Sequence, residues 1–269
     1  TRLLVKLSWK LPLLHTAKSF TCNNNVNHKG RPVKGRPFSC SLMQIARFTF
    51  NPFEENTYVL YDDTKACVII DPGCSNREEE NELVNFIDHH ELSVKMLLNT
   101  HCHIDHILGN WFVKKKFGVS LWIHQLDQVV LNAGPVLAQS YGFPGYQHSE
   151  ADEFLTAGQS ITFGSQTLEV LFVPGHAPGH VAFYNRDQGV VIAGDVLFRS
   201  SIGRTDLPGG NFDTLIASIH NVLFPLPDET LVYPGHGPET TIGFEKQYNP
   251  FLRCNLTDIN ALLWCCFFV

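Results

Sequence analysis

The chain has 269 residues, 44% of them hydrophobic and 17% charged, a balance that excludes wholesale disorder and suits one globular domain or two small ones. Its purely apolar runs, the tail Ala261–Val269 included, fall short of the roughly 18 residues a membrane-spanning helix needs, so a soluble protein with no membrane partner is expected. The net charge of −6 is unevenly placed: residues 1–42 hold eight of the 20 Lys/Arg and none of the 26 Asp/Glu, leaving 12 bases against 26 acids, a net −14, in the rest.

An acidic body repels phosphate backbones, and Lys114–Lys116 is its one short basic run, so no nucleic-acid partner is expected. The eight cysteines are scattered without zinc-ribbon spacing and describe no disulfide scaffold, which fits a reducing, cytoplasmic setting. Residues 1–42 have no apolar core followed by a small-residue cleavage site. They fit either an organellar transit peptide or a disordered or non-native extension ahead of Met43, and the second reading is adopted. Residues 254–269, a Cys/Phe-rich run after Asn249-Pro250, are taken as a second appendage, leaving 43–253 as the domain.

From Met43 the chain alternates strand and helix signals. Ile45–Phe50, Thr57–Tyr61 and Cys67–Ile70 are β-branched or aromatic runs broken by Asn51-Pro52 and Asp62-Asp63, predicting an antiparallel meander. Glu78–His90 begins with acids and carries Leu83, Phe86 and Ile87 at helical spacing. A buried strand Val94–Leu98 follows, then a helix Trp111–Phe117, a strand Val119–Ile123 and a helix Leu126–Ala133. The second half continues with strands Ile161–Phe163, Leu168–Val173, Val181–Tyr184 and Val190–Ile192, a helix Phe212–Leu223, a strand Thr230–Tyr233 and a helix Thr241–Tyr248. Both halves therefore contribute sheets flanked by helices.

Chemistry gathers at strand ends. His101, His103, Asp105 and His106 fall within six residues after the Val94–Leu98 strand. In an extended or turning segment His101 and His103 project to one side, with Asp105 and His106 where the next helix begins. Imidazole and carboxylate suit zinc, iron or manganese, and such a set can serve two metals. Three more strands end beside glycine and a potential ligand: Pro174-Gly175-His176, Gly194-Asp195 and Pro234-Gly235-His236. Glycine permits a tight turn that aims the next side chain into a cleft, and α/β proteins build sites at strand ends.

These motifs together, Thr100-His-Cys-His-Ile-Asp-His106, Pro174-Gly-His176, Gly194-Asp195 and Pro234-Gly-His-Gly-Pro238, with Ile70-Asp-Pro-Gly73 upstream, resemble those of the metallo-β-lactamase-fold hydrolases. The resemblance spans Met43 to about Leu252. Within the superfamily it is strongest to the short glyoxalase II-like (hydroxyacylglutathione hydrolase-like) proteins, which end in the Asn-Pro-Phe-Leu found at 249–252. It implies an α/β (α+β) fold, a four-layer αββα sandwich, holding two divalent metal ions, with zinc expected and iron or manganese as alternatives. One metal would sit on His101, His103 and His176, a second on Asp105, His106 and His236, with Asp195 bridging; Asp105 and Asp195 would serve catalysis. The implied reaction is hydrolysis of a small-molecule thioester of the S-lactoylglutathione type through a metal-bound hydroxide. Two alternatives stay open. One is a glutathione persulfide dioxygenase with a single iron, which Gly203-Arg-Thr-Asp206 also resembles; the other is lactone or β-lactam hydrolysis.

Around this set, Asp71 is expected to support the first histidine loop by accepting an imidazole N–H, the alternative being a turn aspartate before Pro72. Arg204 offers a planar fork for a substrate carboxylate, with pairing to Asp206 as the rival reading. His180 is a candidate substrate contact or a structural histidine. Cys102, facing away from its two neighbours, is expected as a core thiol, and Tyr141, Phe143 and Tyr146 as a wall over the cleft or as ordinary core.

Overall fold

In the strand Glu55–Tyr61, Tyr58 and Leu60 point one way and Val59 and Tyr61 the other, and both sets are buried. A strand covered on both faces loses the polar alternation of a half-exposed one, which is why its second half, Tyr58-Val59-Leu60-Tyr61, reads as a continuous apolar run. The computed structural model describes residues 13–15 and 41–252; expectations for the remainder of residues 1–40 and for 253–269 lie outside the described residues.

The first half comprises β1 (Leu13–His15), β2 (Gln44–Phe50), β3 (Glu55–Tyr61), β4 (Ala66–Ile70), α1 (Arg77–His89), β5 (Ser93–Leu98), α2 (Ile104–Ile107), α3 (Asn110–Phe117), β6 (Leu121–His124), α4 (Gln128–Ser140) and β7 (Glu153–Leu155). Its strands form one sheet in sequential order, antiparallel from β1 to β4 and parallel from β4 to β7. Within the basic amino-terminal segment, expected to lie outside the domain, Leu13–His15 pair with β2 at the edge. The second half comprises β8 (Ser160–Phe163), β9 (Gln166–Phe172), β10 (Val181–Asn185), β11 (Val190–Gly194), β12 (Leu197–Phe198), β13 (Ser201–Ile202), α5 (Phe212–Ser218), β14 (Leu231–Pro234), β15 (Thr240–Thr241) and α6 (Ile242–Tyr248). Here the main sheet runs β15-β14-β11-β10-β9-β8, and β12 and β13 form a separate hairpin.

Three apolar clusters define four layers. Ile45, Tyr58, Leu60, Val68 and Ile70 of the first sheet meet Val170, Val181, Phe183 and Ile192 of the second between the sheets. Val59, Ile69 and Leu97 pack outward against Leu83, Phe86, Val113 and Leu131 of the first helical layer. Ala182, Val191 and Val232 pack outward against Leu215, Ile219 and Ile242 of the other. The fold is the αββα sandwich.

The predicted elements are present with shifted limits. The helix expected over 126–133 runs on to Ser140 through Pro135, after a short 3₁₀ turn at Gln125–Asp127. The helix expected over 212–223 ends at Ser218 and continues as a π-helical turn, Ile219–Leu223. The short strands β7, β12, β13 and β15 were not foreseen, being too brief to carry a period of two. Among the described residues no helix is long and apolar enough to cross a membrane.

Candidate metal centre

Four loops bring seven side chains together at one edge of the sandwich. His101, His103, Asp105 and His106 follow β5 and enter α2; His176 follows β9, Asp195 follows β11 and His236 follows β14. Two tight backbone approaches require glycine. Gly194 adopts φ +52°, and a Cβ there would lie 2.4 Å from Thr100 Oγ1 and 2.7 Å from His180 Cε1. At Gly235 a Cβ would meet Asp195 Oδ1 at 2.1 Å and His106 Cε1 at 2.7 Å, so only glycine lets His236 close on the others.

The nitrogens that face inward are fixed by what the outward ones bind. His176 Nδ1 donates to the Arg204 carbonyl (2.7 Å) and His236 Nδ1 to the Phe53 carbonyl (3.0 Å), which leaves each Nε2 aimed at the centre. Thr100 gives its hydroxyl proton to Asp71 Oδ2 (2.6 Å), so its oxygen can only accept from His101 Nδ1 (3.1 Å), and His101 Nε2 is likewise a bare acceptor. Yet His101 Nε2 and His176 Nε2 lie 3.2 Å apart, with His103 Nδ1 2.9 Å from the latter. On the other side, His106 Nε2 lies 3.5 Å from Asp105 Oδ2 and from Asp195 Oδ1, and His236 Nε2 lies 3.1 Å from Asp105 Oδ2. Asp195 stands between the two groups, its Oδ2 3.5 Å from both His176 Nε2 and His236 Nε2.

This arrangement suits cations. Two neutral imidazole lone pairs facing one another at hydrogen-bond distance repel unless positive charge lies between them. His106 Nε2 and Asp195 Oδ1 are buried without a hydrogen-bond partner. His101, His103 and His176 form one compact ligand group, and Asp105, His106 and His236 another. All-nitrogen and mixed oxygen/nitrogen donor sets of this kind fit divalent transition metals.

Electrostatics follows from burial and neighbours. Burial is the main cause of lowered proton affinity at His101, His103 (pushed down to about 3) and His176, so these imidazoles are neutral and ready to ligate. Burial also disfavours charge on His106, but Asp105 and Asp195 outweigh it and raise its proton affinity well above the usual imidazole range. Burial opposes ionisation of those two carboxyls in turn, and the imidazoles, His106 foremost, hold both below the ordinary carboxylate range.

The chain carries the match to the metallo-β-lactamase superfamily model over residues 51–236. The chain belongs to the metallo-β-lactamase superfamily. It is 39% identical over 213 residues to hydroxyacylglutathione hydrolase GloC of Haemophilus influenzae, covering 78% of this chain and 99% of that protein. Among solved structures it resembles the BLEG-1 B3 metallo-β-lactamase, at TM-score 0.71 and 40% identity over 78% of this chain and all of that one. It also resembles TTHA1623 in a di-iron-bound form, at TM-score 0.69 and 36% identity over 77% of this chain and 99% of that one. The protein is thus a metallo-hydrolase by family.

Asp71 lies where the sequence suggested, but toward His106: its Oδ2 faces His106 Nδ1 at 3.2 Å, and its Oδ1 accepts from the Thr100 N–H at 2.7 Å. It holds this position at φ +50°, a conformation Asp tolerates better than most residues. His180 must be corrected as a substrate contact. It is wholly buried, its ring stacks on His101 at 4.6 Å, and its Nε2 accepts from the Asp195 N–H at 3.0 Å, so it props two site loops from behind. Arg204 lines the cavity over the site, but its guanidinium grips Asp206 through two 2.7 Å bonds, the rival pairing. Cys102 is a core thiol.

Two residues escaped sequence reasoning. Asp127, fully buried, accepts from the Cys102 N–H at 2.6 Å and the Gly179 N–H at 2.7 Å, tying the loop that carries His101 and His103 to the loop after His176. Glu55, also fully buried, accepts from Thr57 Oγ1 and brings its other oxygen, which has no hydrogen-bond partner, to 3.8 Å from His106 Nδ1. Neither stands in a motif; a charged residue beside an apolar run was the only available signal.

Proposed function

We propose that the chain is a metal-dependent thioesterase, hydrolysing a thioester of the S-lactoylglutathione type to a carboxylic acid and a thiol. The observation that carries the reading is the meeting of unprotonated nitrogens, His101 Nε2 against His176 Nε2 at 3.2 Å, beside the unpartnered His106 Nε2 and Asp195 Oδ1, on the floor of an open cavity. His101, His103 and His176 would hold one divalent ion, Asp105, His106 and His236 a second, and Asp195 would touch both. The likeness to a hydroxyacylglutathione hydrolase and to a di-iron protein supports this choice of substrate and of metal number. Bound divalent ions would polarise the thioester carbonyl and make a neighbouring water acidic.

The chain's own residues do the rest. His103, Asp105, His176, Asp195 and His236 all face the cavity, so a carbonyl carbon placed there lies within reach of a water held by the two carboxylates. Asp105 Oδ2 is placed to take that water's proton while Asp195 orients it. The water oxygen bonds to the acyl carbon, the C–S bond breaks, and the sulfur leaves with the bonding pair. A thiolate departs at a pKa near 8.5, so no strong acid is needed on the leaving-group side. His106 is held against reorientation by Asp71, and His180 holds the backbone of Asp195.

The test is thiol release from S-lactoylglutathione by protein loaded separately with zinc, manganese or ferrous iron, alongside metal content per chain. Two metals per chain and chelator-sensitive thiol release are expected. One iron per chain with oxygen consumption on glutathione persulfide, or turnover confined to a lactone or β-lactam, would replace the proposal.

A further inference from the structure

The reacting groups occupy only the floor of a cavity of about 920 Å³, and its walls are of a different character. Val129, Ala133, Leu137 and Tyr141 recur every fourth residue along α4 and its cap, which puts them in one stripe, and all four line the cavity. Phe53 and Leu207 line it as well, and the Phe53 ring meets Tyr141 edge-on at 5.5 Å. These are not core residues: Val129 is 67% exposed, Tyr141 49% and Phe53 40%. Large apolar side chains left in water around a reactive floor mark a surface that something apolar covers.

The charged groups on the walls are few and engaged. Apart from the seven candidate ligands, the charged residues lining the cavity among those described are Arg199 and Arg204. Arg204 is held by Asp206, and Arg199 lies over the Phe244 ring at 4.9 Å. A glutathionyl group would bring two carboxylates, an ammonium and two amides to a wall with little to answer them, and stripping water from such groups without new partners is costly.

We propose that the α4 wall is an acyl-chain subsite and that the preferred substrates are thioesters of apolar acids, alkyl or aryl, rather than of short hydroxy acids. This rests on the thioesterase reading for the reacting bond and departs from it in the substrate, replacing the S-lactoylglutathione type by thioesters of apolar acids. The stripe from Val129 to Tyr141 rises about 18 Å along the helix, longer than an extended octanoyl chain. Each methylene that leaves water against it should raise kcat/KM about four-fold, the equivalent of about 0.8 kcal/mol.

The experiment uses the full chain loaded with zinc and the N-acetylcysteamine thioesters of butanoic, hexanoic, octanoic and lactic acids, with S-lactoylglutathione in parallel. Thiol release is followed, and binding of butanoate, hexanoate and octanoate is measured by calorimetry. A steep rise from butanoyl to octanoyl is expected, up to about 250-fold for four fully buried methylenes, with octanoyl above S-lactoylglutathione. Val129→Asp, at an exposed position the core does not use, should flatten that gradient. A rate that ignores chain length, or S-lactoylglutathione as the best substrate, overturns the subsite while leaving a thioesterase. Carboxylates that tighten with length when no thioester is cleaved would keep the subsite and overturn the thioesterase; failure of both removes both.

Discussion

Replacing Asp127 by Ala tests whether one buried carboxylate holds two ligand-bearing loops in register. Asp127 has no exposed surface and accepts from the N–H groups of Cys102, between two candidate ligands, and Gly179, in the loop after His176. Removing it leaves two buried donors without an acceptor, at about 1–3 kcal/mol each. Because the loops can shift to admit water, the loss is expected toward the lower end, about 2–3 kcal/mol in total. That is a sizeable part of the 5–15 kcal/mol typical of folded domains, and for a body of this size it lowers Tm by about 4–12 °C. Asp127→Asn retains one acceptor oxygen but sets an amide N–H against the second donor, so it should fall between wild type and Ala. Metal affinity should weaken about 10- to 100-fold, as when groups that orient metal ligands are removed. Calorimetry with chelator present isolates the structural loss, and competition against a chromophoric chelator reads the affinity. If Asp127→Ala melts within about 1 °C of wild type and takes up metal equally well, the carboxylate does not position the loops.

Three further outcomes are expected. Gly235→Ala should lose at least about 100-fold in kcat and bind less metal by elemental analysis while keeping its far-ultraviolet circular dichroism, because the new methyl must displace Asp195 or His106; wild-type metal content would contradict the packing argument. Asp195→Ala should fail to hold a full complement of metal and lose thiol release, and a fully loaded, active variant would remove the residue from its place between the two groups. Asp62 gives a pH signature away from the site. Burial opposes its ionisation, but hydrogen bonds from Ser165 (2.6 and 2.7 Å) and Thr64 outweigh this and hold its carboxyl below the usual range. Its contribution is therefore present above an unfolded-state pKa near 3.9 and is lost as pH falls through the lower folded value. The urea midpoints of wild type and Asp62→Ala, both without metal, should differ at pH 7 by about 1–3 kcal/mol of stability and converge below pH 3; a gap that persists in acid would show that packing, not charge, is responsible.

The local chain decides which residues can face a site. Short aromatic and β-branched runs such as Tyr58–Tyr61 and Cys67–Ile70 specify strands buried on both sides, Asn76 caps α1 as the acids after it suggest, and glycines before His176, Asp195 and His236 permit the turns on which those residues sit. Such features depend on backbone preferences and on periods of two and 3.6, which act over a few residues and so can be seen in the letters. What they leave undecided is which of two plausible partners a side chain meets. His180 looks as suited to a substrate as to a structural role, and only the stacking of its ring beneath His101 places it behind the site. Arg204 pairs with its near neighbour Asp206, a contact that the short separation made available but did not compel.

Asp127 and Glu55 act through contacts across tens of residues, fixed by how the sheets pack rather than by any spacing in the chain. The course of α4 through Pro135, which brings an apolar stripe to the cavity, was equally hidden, because tertiary packing overrides a helix breaker. The candidate ligands were thus written locally, in residue types at strand ends. The distances between ligands, the groups that brace them and the character of the cavity wall were decided by two sheets meeting face to face, because long-range packing selects one arrangement among many that local preferences allow.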